Sequence, residues 1–240
     1  MTQKKIQMVF FDAAGTLFDV RGSVGEIYAR CASQYDKHVA PAELQREFAR
    51  QFPRQPPMAF ARTLGRAKRL QLEQDWWRTL VRDVFTPFGE FPHFDNYFLE
   101  VYEFFRRAEA WRVFADVEPT LTALKARGLR LGVISNFDTR LYEVLDELQL
   151  SAYFDSIHIS TEVGAAKPDA AIFEVALADN ALSPSQALHI GDSLMADAQG
   201  AQAAGLSALW LNRQGEALQI NKIQAASALC PEIITNVLGA

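Results

Sequence analysis

The hydrophobic pattern changes character twice along the chain. Residues 6–11 form a short apolar run, rich in β-forming side chains, that ends at Asp12 and predicts a buried parallel strand. Between residues 20 and 110 the apolar positions recur near helical spacing, and no convincing strand pattern interrupts them. After Trp111, short apolar runs alternate with amphipathic stretches of helical length. The pattern therefore predicts one strand, then a helical block, then a region of alternating strands and helices.

The alternating region predicts βαβ units, in which helices join parallel strands. Its predicted strands cover residues 129–134, 156–160, 187–190 and 207–211, and its predicted helices cover residues 119–127, 139–149, 170–180 and 196–204. The helical block predicts helices over residues 23–37, 41–52, 72–85 and 96–107. We therefore predict an α/β fold, with a three-layer α/β/α, Rossmann-like parallel sheet formed by residues 1–17 and 112–240. Residues 18–111 are expected to form an inserted helical domain, and the tail 225–240 to pack as a last strand and turn.

Composition and charge narrow the class of protein. The chain has 240 residues, with 24 lysines and arginines against 29 aspartates and glutamates, so the negative balance argues against nucleic acid as its main partner. No apolar run approaches the roughly 20 residues of a membrane span, and the first one is too short for a signal peptide. Cys31 and Cys230 lack the spacing of a metal site or a disulfide framework. We expect a soluble, cytoplasmic protein that is a monomer or a homodimer.

Polar and charged residues follow the predicted strands of the α/β region. In a parallel sheet the carboxyl ends of the strands share one edge, and ligands bind in the crevice outside it. The residues at or after these ends are Asp12, Ser135, Asn136, Lys167, Asp192 and Asp197. Carboxylates, a hydroxyl, an amide and an ammonium from distant parts of the chain are therefore expected to gather at one site.

Four sequence motifs carry a resemblance to a known family. The segments VFFDAAGTLFD, VISN, AAKPDAAIF and HIGDSLMAD occur in order and resemble motifs I to IV of the haloacid dehalogenase superfamily. The inserted helical block resembles the cap of its helical-cap subfamily I. Within that subfamily, DAAGTLF together with Trp76 and Trp77 is most similar to the group named after the fly rhythmically expressed gene 2 product. The resemblance covers essentially the whole chain and implies a hydrolase whose cap closes over the mouth of the sheet.

The resemblance assigns a role to each candidate residue. Asp12 is expected to be the nucleophile, because a carboxylate can form an acyl phosphate and so divide one difficult displacement into two easier steps. A Mg²⁺ ion is expected to be held by Asp12, Asp192 and the backbone carbonyl of Ala14. Asp197 is expected to be a further ligand or a residue that holds the ligands in place. The implied phosphate-binding residues are Thr16, Ser135, Asn136 and Lys167, and Lys167 is also implied to be catalytic. The implied substrate is a small phosphorylated or anionic metabolite.

One departure from the family pattern limits the expected chemistry. Typical phosphatases of the family carry a second aspartate two residues beyond the nucleophile, where it protonates the leaving group and then activates water. This chain has Ala14 there, and a methyl group does neither. General acid–base groups contribute about 10²–10⁴-fold, so roughly 3–5 kcal/mol of barrier lowering is missing. An alkyl phosphate is therefore expected to react slowly.

Three kinds of function remain open from the sequence. The first is a magnesium-dependent phosphohydrolase for substrates with a good leaving group. The second is a catalytically silent phosphate or anion binder, or a scaffold. The third is hydrolysis of another bond. Phosphonoacetaldehyde hydrolases also carry alanine at this position but need a cap lysine, for which only Lys37 and Lys68 are available, and L-2-haloacid dehalogenases lack the Asp192–Asp197 pattern.

Other residues have simpler interpretations. His189 lies inside an apolar predicted strand and is expected to be a core histidine. Trp76 and Trp77 are expected to belong to the core of the helical domain. The basic residues Arg62, Arg66, Lys68 and Arg69 are expected to form a solvated helix face.

Overall fold

The chain divides into two compact units in the computed structural model, which describes residues 6–213, 215, 219–220 and 223–237. One unit, the α/β unit, contains the described residues up to Asp19, the segment Ala59–Arg62 and the described residues from Val113 onward. The other, the helical unit, contains Val20–Met58 and Thr63–Arg112. The assignment of the inserted residues as a substrate-selecting cap stays a prediction.

The α/β unit is built on one large sheet. The strands of the chain are β1 (Met8–Phe11), β2 (Phe18–Val20), β3 (Trp111–Val113), β4 (Arg130–Ser135), β5 (Ser156–Ile159), β6 (Ala187–Gly191), β7 (Ser207–Leu211), β8 (Gln219–Ile220) and β9 (Ile223–Ala226). The large sheet has the order β5-β4-β1-β6-β7-β9-β8, in which only the β8–β9 pair is antiparallel. The short strands β2 and β3 form a separate two-stranded sheet. Helices cover both sides of the parallel strands, so the predicted α/β fold is confirmed.

The helices follow the amphipathic stretches of the sequence. They are α1 (Val24–Ser33), α2 (Pro41–Gln51), α3 (Arg66–Phe85), α4 (Phe94–Phe104), α5 (Val117–Ala126), α6 (Arg140–Glu147), α7 (Ser160–Val163), α8 (Ala170–Asp179), α9 (Gly200–Ala203) and α10 (Pro231–Val237). A π-helical segment, Leu194–Gln199, directly precedes α9. Within the described part of the chain, no helix is both long enough and apolar enough to cross a membrane.

The central strand β1 explains why the sheet is so apolar in sequence. All four of its residues are fully buried, because β4 and β6 flank it and helices cover both sheet faces. Such a strand gains from apolar side chains on both faces, which produces a continuous hydrophobic run rather than alternation. One core cluster packs Phe10 and Ile134 of the sheet against Ile172 and Phe173 of α8.

The helical unit has an aromatic core of its own. Tyr28 of α1 lies within ring-contact distance of Phe85 of α3 and Tyr97 of α4. Trp76 and Trp77 pack against each other with ring centres 5.0 Å apart, and the Trp76 indole donates a hydrogen bond to a backbone carbonyl. Both tryptophans are half-buried and belong to the packing of this unit, as the sequence predicts.

Several element boundaries differ from the sequence predictions. Helix α3 begins at Arg66 rather than at residue 72, because its first turn is exposed and polar and therefore shows no apolar periodicity. The single helix predicted over 196–204 is a π-helical segment followed by the short α9. The strand predicted within the tail 225–240 is β9, but β9 begins earlier, at Ile223, and ends at Ala226. The tail then forms the helix α10 where only a turn is predicted. The final residues 238–240 of the tail lie outside the described residues.

Candidate active site

The strand register brings the predicted site residues to one edge of the sheet. Phe11 at the end of β1 lies level with Val133 of β4 and with Ile190 of β6. Asp12 therefore follows the central strand at the same edge where Ser135 ends β4 and Asp192 follows β6. Both Ser135 and Thr16 are buried at this edge.

Three carboxylates cluster at this edge. One oxygen each from Asp12, Asp192 and Asp197 can be chosen so that all three lie within 4.8 Å of one another. Two glycines leave the space that these groups occupy. A Cβ on Gly15 would lie 2.5 Å from Asp192 Oδ2, and a Cβ on Gly191 would lie 2.1 Å from Asp197 Cγ. The absence of side chains at these two glycines is therefore a condition for the observed acidic cluster.

Lys167 is the cation at the centre of the cluster. Its buried ammonium donates to Asp12 Oδ1 at 2.6 Å, to Asp197 Oδ1 at 2.5 Å and to the backbone carbonyl of Ile134 at 2.8 Å. Burial opposes the charged form, but the negative charges of Asp12 and Asp197 outweigh it and raise the pKa of Lys167 above its ordinary value. The side chain is therefore a permanent cation, and its three N–H donors are all engaged by protein groups.

Asn136 holds the loop that carries this lysine. Its amide donates through Nδ2 to the backbone carbonyl of Lys167 at 2.9 Å and accepts through Oδ1 from the backbone N–H of Lys167 at 2.7 Å. This pair of hydrogen bonds fixes where the lysine side chain starts. The amide predicted to bind phosphate is thus engaged in positioning Lys167.

Asp197 is held by the protein through both of its oxygens. Oδ1 accepts from Lys167 and from Nε2 of His189 at 2.9 Å, and Oδ2 accepts from the backbone N–H of Ser193 at 2.9 Å. Burial would raise the pKa of Asp197, but Lys167 and His189 outweigh it and hold that pKa well below its ordinary value. The π-helical turn helps to orient the Asp197 side chain, because the Ser193 carbonyl accepts hydrogen bonds from the N–H groups of both Asp197 and Ala198.

His189 has a closer connection to the site than its sequence position suggests. The imidazole is fully buried, and burial lowers its pKa, so the ring is neutral and donates through Nε2 to Asp197. Its Nδ1 has no hydrogen-bond partner among the described residues. The period of two along β6 places His189 and Gly191 on the same face, where Asp197 occupies the space over the glycine. The two-residue spacing of His189 and Gly191 is therefore the sequence signal that could have predicted the contact between His189 and Asp197.

Asp192 differs from the other two carboxylates. It is exposed, and the hydroxyl of Thr16 lies 3.5 Å from its Oδ1. Partial loss of solvation and the negative charges of Asp12 and Asp197 raise the pKa of Asp192 to about 7. Three carboxylates thus face one ammonium, and the hard oxygen donors and unbalanced negative charge fit a divalent cation such as Mg²⁺.

The chain matches a known family of hydrolases over most of its length. Residues 6–205 match the model of the haloacid dehalogenase-like hydrolases. The chain belongs to this family. Haloacid dehalogenase-like hydrolase domain-containing protein 3 of Danio rerio is 35% identical over 211 residues, which cover 87% of this chain and 86% of the relative. The rhythmically expressed gene 2 protein of Drosophila melanogaster is 27% identical over 239 residues, with 91% and 87% coverage. The predicted resemblance to that group is therefore confirmed.

Two further matches are to a phosphatase and to a solved structure. The glyceraldehyde 3-phosphate phosphatase of Methanothermobacter thermautotrophicus is 39% identical over 104 residues, which cover 43% of this chain and 46% of that protein. The HAD-hydrolase YfnB of Bacillus subtilis, solved with magnesium bound, superposes with a TM-score of 0.77 over 99% of this chain and all of that chain at 18% identity. At this identity the structural match supports the haloacid dehalogenase-like fold alone.

Proposed function

We propose that this haloacid dehalogenase-like hydrolase is a magnesium-dependent phosphohydrolase that works through an aspartyl phosphate on Asp12. The observation that carries the proposal is the buried Lys167 ammonium, which bridges Asp12 at 2.6 Å and Asp197 at 2.5 Å beside the exposed Asp192. This contact fixes one oxygen of Asp12 and places a positive charge beside it, so the carboxylate is available as an oriented nucleophile.

The donor set supports magnesium as the cofactor. Asp12, Asp192 and the carbonyl of Ala14 would hold the ion, and Asp197 would act as the residue that holds Lys167, because both of its oxygens already accept from protein groups. When bound, Mg²⁺ would supply positive charge that offsets the negative charge of the phosphoryl oxygens. Thr16 and Ser135 line the same edge as hydroxyl donors for the phosphate.

The reaction then proceeds in two displacements. In the first, a carboxylate oxygen of Asp12 forms a bond to phosphorus, and the bond from phosphorus to the leaving group breaks with its electron pair on the leaving group. In the second, water attacks the same phosphorus, the bond to Asp12 breaks, and inorganic phosphate and one proton are released. Asp12 is regenerated as a carboxylate beside Lys167.

Ala14 decides which substrates fit this scheme. The methyl group cannot protonate a leaving alkoxide, so the first displacement favours acyl or aryl phosphates, whose leaving groups are stable as anions. It also cannot deprotonate the attacking water, so the second displacement is expected to be slow. The substrate class is therefore a small phosphorylated metabolite with an activated leaving group. We propose that the helical unit is the cap that selects this substrate, and that the protein acts in the cytoplasm.

The proposal is tested by turnover of acetyl phosphate and p-nitrophenyl phosphate with and without magnesium. We expect magnesium-dependent release of phosphate that disappears in Asp12→Asn, which keeps the shape of the side chain but removes its charge. An early burst of leaving group is expected, because the aspartyl phosphate accumulates when water attack is slow. Turnover that persists in Asp12→Asn or without metal would refute the proposal.

The second candidate is a silent binder of phosphate or another small anion. Ala14 is the observation that favours it, because the site keeps its cation and its carboxylates while lacking the general acid. This protein would be stabilised by magnesium with beryllium fluoride but would release no phosphate. Metal-independent release of halide from a 2-haloacid would instead support the dehalogenase reaction. The clustering of Asp192 and Asp197 with Asp12 argues against that reaction.

A further inference from the structure

Arg213 follows β7 and joins separate parts of the α/β unit. Its Nη1 donates to Asp116 Oδ2 at 2.9 Å, and its Nη2 donates both to Asp116 Oδ1 at 3.1 Å and to the backbone carbonyl of Thr16 at 2.8 Å. The guanidinium also lies 3.8 Å from the centre of the Phe114 ring. The Arg213 and Asp116 side chains are only 17% and 21% exposed, so water competes weakly for these contacts.

The carbonyl that Arg213 contacts belongs to the turn after the nucleophile. Within this turn the carbonyl of Ala13 accepts a hydrogen bond from the backbone N–H of Thr16 at 3.2 Å. The same turn carries Ala14, whose carbonyl is a proposed metal ligand, and the Thr16 hydroxyl, which lies 3.5 Å from Asp192. A shift of the Thr16 peptide would therefore displace the Ala14 carbonyl and the Thr16 hydroxyl together.

Asp116 fixes the direction from which Arg213 reaches this turn. Besides the guanidinium, its Oδ2 accepts a hydrogen bond from the backbone N–H of Leu229 at 2.7 Å. The carboxylate is thus tied to the chain before α10 as well as to Arg213. Because the forked guanidinium is planar, fixing its two Nη atoms on Asp116 also fixes the second N–H of Nη2, which donates to the Thr16 carbonyl.

We propose that Arg213 is a positioning residue for phosphoryl transfer. Oriented by Asp116, it holds the Thr16 carbonyl and so sets the geometry of the turn that carries the metal-binding and phosphate-binding groups. This inference rests on the proposed function of the same site. A lysine in its place keeps the positive charge but loses the planar fork, so it separates charge from geometry.

The test compares Arg213→Lys with a matched control, Arg130→Lys. Arg130 also donates to a backbone carbonyl, that of Asn180 at 3.1 Å, but it starts β4 at the end of the sheet opposite to the site. The measurements are the kcat and KM for acetyl phosphate, the affinity for beryllium fluoride with magnesium, and the melting temperature. We expect Arg213→Lys to lower kcat and beryllium fluoride affinity at least about tenfold, since small misplacements of reacting groups have large effects. Arg130→Lys is expected to change both less than about twofold, although it loses a comparable bond.

Each outcome decides the inference. If Arg213→Lys and Arg130→Lys change kcat and beryllium fluoride affinity equally, Arg213 is a structural residue and the inference is wrong. If Arg213→Lys does not fold, the variant Asp116→Asn is measured in its place. The asparagine keeps an acceptor for the Leu229 N–H, so we expect a smaller loss of kcat, about threefold. An unchanged kcat in Asp116→Asn would overturn the inference. If the unmodified chain neither turns over acetyl phosphate nor binds beryllium fluoride, the proposed function itself fails, and the inference fails with it.

Discussion

Replacement of Lys167 by methionine tests the electrostatic core of the site. Methionine keeps an unbranched chain of similar length but removes the ammonium that bridges Asp12 and Asp197. Asp197 is then a buried carboxylate that keeps His189 and the Ser193 N–H as its donors among the described residues. Breaking a buried ion pair by removing one partner costs about 3–5 kcal/mol of unfolding free energy. We expect a loss in that range, because the side-chain exposure is only 2% for Lys167, 1% for Asp197 and 12% for Asp12.

The matched control for this substitution is Lys125→Met. Lys125 pairs with Asp155 at 3.3 Å on the surface, where the two side chains are 37% and 38% exposed. Solvent screens such a pair, so its loss is expected to cost no more than about 1 kcal/mol. Urea unfolding of both variants and of the unmodified chain gives the three free energies. A Lys167→Met loss as small as that of Lys125→Met would refute the account of the buried bridge.

The pH dependence of the same variant carries a definite sign. In the unmodified chain Lys167 lowers the pKa of folded Asp197, so the stability that Asp197 contributes is present above its unfolded pKa and is lost as the pH falls through the folded pKa. Without the ammonium, burial dominates and raises the pKa of folded Asp197 above the unfolded value, so lowering the pH stabilises the variant. The difference in unfolding free energy should therefore be larger near about pH 8 than near about pH 5. A difference that does not change with pH would contradict this reasoning.

Three further predictions follow from the site. Because partial desolvation and Asp12 raise the pKa of Asp192 to about 7, the affinity for Mg²⁺ should fall as the pH drops below about 7, and calorimetric titrations showing a constant affinity would oppose this. Gly191→Ala places a Cβ 2.1 Å from Asp197 Cγ and should lose about 1–3 kcal/mol of stability, whereas Gly65→Ala, which meets no atom within 4 Å, should not. Ala14→Asp should raise turnover of alkyl phosphates about 10²–10⁴-fold, and an unchanged rate would show that the missing acid is not what limits it.

The sequence predicts those parts of the fold that rest on burial. Strand β1 is apolar throughout because it is buried on both faces, and the strands β4, β6 and β7 are recognisable for the same reason. Exposed elements are harder to predict. The first turn of α3 at Arg66 carries no apolar signal, and the π-helical turn Leu194–Gln199 is set by the contacts of Asp197 rather than by periodicity.

The candidate site shows the same division. The positions of Asp12, Asp192 and Lys167 at one sheet edge follow from strand ends and chain order. The hydrogen bonds of the site do not follow from the sequence pattern, because they join residues far apart in sequence, such as Lys167 with Asp12 and Arg213 with Thr16. The engagement of Asn136 with the Lys167 backbone is likewise a property of packed loops that local patterns do not encode.

The central claim is that Asp12 becomes phosphorylated. The most direct measurement is to mix the protein with acetyl phosphate and Mg²⁺, quench with acid, and locate any added phosphoryl group by peptide mass spectrometry. The account predicts one phosphoryl group on Asp12 that requires magnesium, is removed by hydroxylamine as an acyl phosphate should be, and is absent from Asp12→Asn. Two results would contradict the account. One is a burst of acetate and release of phosphate with no phosphoryl group on Asp12, and the other is a phosphoryl group on another residue.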